Sequence, residues 1–118
     1  MSQRENVILD KSYRFDVRIV KLNSRLNELR QYDISCQILR SGTSIGSNME
    51  ETQGGASKKD FTNKMRIACK EARETKYWLR LFRDSEISDR KTIESVLKDC
   101  EELLKILYSI INSSKKQS

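Results

Sequence analysis

Lys59, Arg66, Lys70, Arg73, Tyr77 and Arg80 fall on one line of a predicted helix, with Asn63 filling the gap between the first two. From Arg66 onward each lies five residues after a position of that helix's apolar seam, about 140° around the axis. An earlier predicted helix carries a comparable row: Arg14, Arg18, Lys21 and Arg25. Like charges at i, i+3 and i, i+4 repel by ~0.2–0.5 kcal/mol per pair. An anionic partner relieves that repulsion, and so do acidic residues from another helix. The first reading is a phosphate-tracking surface, with Tyr77 able to stack on a base. The competing reading is a solvated face, partly neutralised by the acidic fourth helix.

Other reactive residue types offer less. Glu50 and Glu51 end the second predicted helix, and Glu71 and Glu74 lie within the third. Carboxylate-bridged di-iron bundles use Glu-x-x-His pairs on facing helices, and the chain has no histidine. Glu71 and Glu74 therefore read as partners of arginine, or of the Ser/Thr/Asn-rich face of the second helix, and no metal or cofactor is expected. Ser41, Ser44 and Ser47 have no base to activate them. Cys36, Cys69 and Cys100 are widely spaced, with no C-x-x-C, and read as small core residues in a reducing compartment. Without histidine the commonest general base is missing, and the expectation is a protein that is not an enzyme.

The chain has 118 residues, no proline and 4 glycines, which suits one domain of long helices. Its net charge of +6 is unevenly spread. Residues 57–83 carry nine Lys/Arg and three Asp/Glu, and residues 12–32 carry five and two. Residues 33–56 and 84–118 are slightly acidic. There is no apolar leader and no run approaching 18 apolar residues, so the expected location is cytoplasmic, away from membranes.

Four stripes organise the chain. Residues 1–11 read as a lead-in segment, and Ser12 as the cap of a helix over about 12–31. There Phe15, Ile19, Leu22, Leu26 and Leu29 recur at helical spacing. Asp33 is a candidate cap for a helix over about 33–53, carrying Ile34, Ile38, Ile45, Met49 and Thr52. Its middle, Ser41-Gly42-Thr43-Ser44-Ile45-Gly46-Ser47-Asn48, suits a loop by propensity, since each glycine costs ~1 kcal/mol against alanine. The apolar phase nonetheless runs through it. Small residues there favour close approach of another helix over a phosphate-binding loop, because the Walker spacing and a preceding strand are both missing. Gly54-Gly55 closes the helix.

Ser57-Lys58-Lys59-Asp60 resembles a capping box for a helix over about 57–84. Phe61, Met65, Ala68, Ala72, Thr75, Leu79 and Phe82 form three unbroken heptads within it. Ser88 or Asp89 caps a fourth helix over about 89–112, apolar from Ile93 to Ile111, and residues 114–118 form a polar tail. The predicted fold is all-α, an antiparallel up-down-up-down four-helix bundle spanning residues 12–113. Ile67, Trp78 and Leu81 lie off the main seam. They are candidates for an oligomer interface, or Trp78 simply closes one end of the core.

Three segments carry a family resemblance. Gln37–Glu51, Ser57–Phe61 and Lys70–Leu81 resemble motifs of the four-helix-bundle protein family encoded within intervening sequences of 23S ribosomal RNA genes. The likeness covers roughly residues 12–112. It implies a bacterial cytosolic bundle that assembles as a homopentamer. A related branch comprises the accessory variability determinants of diversity-generating retroelements, basic pentamers that bind nucleic acid and partner a reverse transcriptase. The leading expectation is thus a homopentamer that binds RNA or DNA through the two basic rows. The alternative is a scaffold for a protein partner such as a reverse transcriptase, with the rows engaged in internal ion pairs. The two separate on whether Arg66, Lys70, Arg73 and Arg80 face solvent or the acids of the fourth helix.

Overall fold

The computed structural model describes residues 3–54, 57–87 and 89–116. Among these it contains four helices and no strand: α1 (Gln3–Glu28), α2 (Tyr32–Glu51), α3 (Lys58–Asp84) and α4 (Arg90–Lys116). Each helix packs on two neighbours in the ring α1–α2–α3–α4–α1, while the diagonal pairs stay apart. Cross-helix pairs run in opposing order. Along α1 and α2, Asp16 meets Gly46 and Asn23 meets Ser35. Along α2 and α3, Arg40 meets Glu74 and Glu51 meets Lys64. Along α1 and α4, Lys11 meets Glu102 and Arg18 meets Ser95. An antiparallel bundle requires this order, and the body measures 46 × 23 × 20 Å.

The core follows the stripes. Ile8, Ser12, Phe15, Ile19, Leu22 and Leu26 step along α1 at spacings of 4, 3, 4, 3 and 4, and all are buried. The stripe thus begins before Ser12, which is why α1 starts at Gln3 and residues 3–11 are helix where a lead-in was expected. Ser12 does not cap a helix. It sits inside the core and donates its hydroxyl proton to the Leu9 carbonyl at 3.1 Å.

At the other end α1 stops at Glu28, short of the expected 31. Arg30 turns through a positive φ of 61°, and the Gln31 N–H reaches back to the Leu26 carbonyl at 2.9 Å, closing a Schellman-type turn. Leu29, expected in the core, is left exposed. The helix α2 begins at Tyr32 with no side-chain cap, so Asp33 lies in its first turn instead of capping it. Ser57 caps α3 as expected, accepting the Asp60 N–H at 3.2 Å. Asp89 accepts the Lys91 N–H at 3.1 Å at the head of α4. Gly55 and Ser88 lie outside the described residues. Helix α4 continues to Lys116, past the expected end at residue 112.

The glycine-containing middle of α2 is helical throughout, against its propensity. Gly42 and Gly46 both face α1. A Cβ on Gly42 would stand 2.9 Å from Cγ1 and Cγ2 of Ile19, and one on Gly46 would overlap the Asp16 carboxyl. Helix α3 closes on the other flank of α2, where Thr75 donates to Ser41 Oγ at 2.8 Å in the core. Ser35 takes an inward position where Asn23 and Asn27 of α1 bond it. That phase turns Cys36 outward, contrary to its expected core placement, while Cys69 and Cys100 are buried.

Gly42→Ala should test the close approach. The added methyl improves helix propensity by about 1 kcal/mol. It also collides with Ile19, which is buried and stiff at its branched Cβ, at a cost of about 1–3 kcal/mol. We expect a net loss in urea denaturation, while Gly54→Ala, whose Cβ meets only the Glu51 carbonyl at 3.9 Å, leaves stability unchanged or slightly raised. A Gly42→Ala protein as stable as the wild type would contradict this packing.

Candidate nucleic-acid interface

The seam of α3 turns Met65, Ala68, Ala72, Thr75 and Leu79 inward, so the row five residues further along must turn outward. Lys59, Arg66, Lys70, Arg73, Tyr77 and Arg80 are all exposed. Among the described residues, none of the five cations makes an ion pair with a carboxylate. Arg73 donates instead to the Tyr108 hydroxyl of α4 at 3.4 Å. Arg80 acts at longer range, helping to hold the Asp84 carboxyl below its usual range, an effect due first to Arg83.

The row on α1 is placed differently. Arg18 pairs with Asp99 and donates to Ser95 Oγ at 3.0 Å, so it is fastened to α4. Arg14 bonds Asp10 one turn earlier, at 3.1 Å. Lys11, outside the predicted row, meets Glu102 at 2.5 Å. Arg25 lies near enough to Asp89 to contribute to its lowered pKa, which comes mainly from the Thr92 hydrogen bond. Lys21 is exposed and makes no ion pair among the described residues. The acids of α4 therefore neutralise part of the α1 row and leave the α3 row bare. Glu94 is held within α4 by Arg90 at 3.1 Å.

Glu71 and Glu74 meet arginine, as expected. Arg40 of α2 reaches Glu74 at 2.6 Å and Glu71 at 3.5 Å. The Arg40 hydrogen bond holds the Glu74 carboxyl down, while burial and the neighbouring Glu74 push Glu71 up. Among the described residues no cluster of three or more His, Cys, Asp or Glu could hold a metal ion. Burial raises the Cys100 thiol to about 12, and its Sγ–H bonds the Ala72 carbonyl at 3.3 Å. Burial raises Cys69 as well. Both are poor nucleophiles in this state.

The glycines do not form an anion cradle, because both face α1. With close packing, unbroken heptads and the helix-two motif placed in one bundle, the fold can be set beside known proteins. The chain belongs to the 23S rRNA-intervening sequence protein family. The family model matches residues 4–109. Among solved structures, the chain is similar to a protein of unknown function from the S23 ribosomal protein family of Bacteroides thetaiotaomicron VPI-5482. The two share 49% identity over 93% of this chain and 99% of that one, with a TM-score of 0.88. No curated protein matches the chain. No described helix of this family member is long and apolar enough to cross a membrane.

The off-seam apolar residues are also placed. Ile67 and Leu81 are exposed, whereas Trp78 is partly buried against the core, edge-on to Tyr77 at 5.2 Å. Its indole N–H is buried on the side of Glu74, whose carboxyl it helps Arg40 to hold below the usual range. A second apolar strip, Tyr13, Val17 and Val20, is exposed on α1 and was not singled out in the sequence. Also missed were Lys76 on α3 and Lys105 and Tyr108 on α4, which share a groove with Arg73, Tyr77 and Arg80. A Lys-x6-Lys-x6-Lys spacing, Lys91, Lys98 and Lys105, was the available signal, since seven residues return a helix to nearly the same face.

Asp16 was missed too. It is partly buried between α1 and α2, accepts the Gly46 N–H at 3.1 Å, and its Oδ1 is buried with no hydrogen-bond partner among the described residues. Burial outweighs that hydrogen bond and lifts its pKa from 3.8 to about 7. Below about pH 4 the carboxyl is protonated in both folded and unfolded chains. Between about pH 4 and 7 the unfolded chain loses this proton while the folded chain keeps it, so this group's contribution to stability falls as pH rises. Above about 7 the loss is complete. Asp16→Asn should remove this dependence, gaining ~1–2 kcal/mol over the wild type at pH 8 after allowing for partial exposure, and little at pH 4. Denaturant unfolding of both proteins at the two pH values measures it. An equal difference at both would contradict a raised pKa.

Proposed function

We propose that the chain is a non-enzymatic, cytoplasmic homo-oligomer, a pentamer by its family resemblance, that binds RNA or DNA electrostatically through the outward face of α3. The observation that carries the reading is the partition of charge. The acids of α4 engage Lys11 and Arg18 of α1, whereas among the described residues Lys59, Arg66, Lys70, Arg73 and Arg80 of α3 make no ion pair with a carboxylate. Arg66, Lys70, Arg73 and Arg80 stand at helical spacing along about 21 Å of one face, where successive phosphates could meet successive side chains. Several copies in one assembly multiply weak phosphate contacts through avidity.

Self-association is favoured by apolar strips on two different faces, Ile67 and Leu81 on α3 and Tyr13, Val17 and Val20 on α1. A head-to-tail ring needs two unlike patches on each copy, whereas a two-fold dimer needs one patch that matches itself.

Filter binding of a labelled oligonucleotide across a salt series tests the reading. Retention at low salt should fall steeply as salt rises. Lys70→Glu with Arg73→Glu should weaken it by about tenfold or more, while Arg18→Ala should change it much less because Asp99 already engages that side chain. Light scattering of the same preparation should give a mass several times the 13.8 kDa of one chain. No retention at low salt, or retention indifferent to the α3 reversal, would overturn the nucleic-acid reading. A monomer at micromolar concentration would overturn the assembly.

A further inference from the structure

Between α3 and α4 runs an open groove of about 370 Å³, lined by Arg73, Lys76, Tyr77, Arg80, Lys105 and Tyr108, with Glu101 and Leu104. Four cations and one carboxylate line it. Two aromatic rings stand in its wall with substantial exposure, Tyr77 at 53% and Tyr108 at 40%. Both are held. Tyr77 leans edge-on against Trp78 at 5.2 Å, and the Tyr108 hydroxyl accepts from Arg73 at 3.4 Å. A solvated charged face has no need of tyrosines among its cations. Tethered rings flanked by guanidinium and ammonium groups are the combination that holds an unstacked base together with its phosphates.

We infer that this α3–α4 groove is a binding site for single-stranded nucleic acid, with a base stacked on Tyr77 or Tyr108 and the flanking phosphates met by Arg73, Arg80 and Lys105. The site rests on the nucleic-acid reading above and makes it narrower. A simple basic row binds any polyanion and favours the duplex, where phosphate density is higher. A stacking groove favours the single strand, because a paired base is already stacked on both faces and must be extruded to reach a tyrosine. At about 370 Å³ the groove has room for a nucleotide. Residues from two helices make the site, which explains why Lys105 and Tyr108 of α4 face the same way as the row on α3. Glu101 sets a limit on net charge in the groove and leaves stacking to supply part of the affinity.

The test is fluorescence anisotropy with a fluorescein-labelled dT12 strand, alone and annealed to dA12, at low salt. Wild type should bind the single strand at least about tenfold more tightly than the duplex. Tyr77→Leu with Tyr108→Leu should lose about tenfold or more for the single strand and little for the duplex, whereas Tyr77→Phe should keep the preference, since it keeps the ring. Circular dichroism melting confirms that each variant is folded, and Tyr77→Leu alone carries the test if the double variant is not. Equal or tighter binding of the duplex, or a single-strand affinity unmoved by removal of the rings, would overturn the groove while leaving the basic-row reading standing. Absence of binding to either probe would overturn both.

Discussion

The contact between α1 and α2 sets the spacing of the bundle, because two glycines of α2 leave room only for the side chains that α1 presents. Gly42 seats against Ile19 and Gly46 against Asp16. An ordinary side chain at either position would push α1 away and open the core. The contact accounts for the row of small residues in the middle of α2 and for their helical conformation despite poor propensity. Burial of the segment repays what propensity loses. The same contact traps a carboxyl in the interface and raises its pKa, a local stability cost that the surrounding packing tolerates. It also settles what the glycines do not do. Their backbone faces α1 and not an anion.

On those outer faces the fourth helix decides which basic row stays available. Its carboxylates Asp99 and Glu102 lean toward α1, and they engage Arg18 and Lys11. On the side that faces α3 it presents Glu101, Lys105 and Tyr108. The +6 of the chain is therefore directional. One flank is a mixed-charge seam between helices, and the next is a basic groove with two tyrosines. Exposed ion pairs contribute little stability on their own. Their larger consequence is to offset part of the field of α1, which leaves α3 the more positive face.

Much of this could be read from residue spacing. The seam of α3 and the apolar run of α4 are long and periodic, and the structure buries the α3 seam from Met65 to Phe82 and, on α4, Ile93, Val96, Leu97, Cys100, Leu103, Leu104, Leu107, Ile110 and Ile111. The glycine-bearing helix was legible because Ile38, Ile45 and Met49 hold phase across it. The ends were less so. Ser12 has the side chain of a cap, yet the stripe extends back to Ile8, and periodicity outweighs a cap residue. Arg30 forms a left-handed turn usually given to glycine, so no residue type announced where α1 stops. The outward direction of the α3 row followed from its angle to the seam. Which row would meet the α4 acids did not, because that depends on the rotation of α4, which its broad apolar face leaves loosely specified. Asp16 was invisible for a related reason. A lone aspartate beside a stripe looks solvated until the close approach of α2 at Gly46 buries it.

If nucleic acid binds as proposed, it meets α3 and α4 and not the flank of α1 that Asp99 and Glu102 engage. Lysine acetylation footprinting with saturating oligonucleotide at low salt, read by mass spectrometry, tests it residue by residue. Lys70, Lys76 and Lys105 should be protected from acetylation, while Lys11 and Lys21 should react as they do in the free protein. Protection at Lys11 and Lys21 with Lys70, Lys76 and Lys105 unchanged would contradict the account.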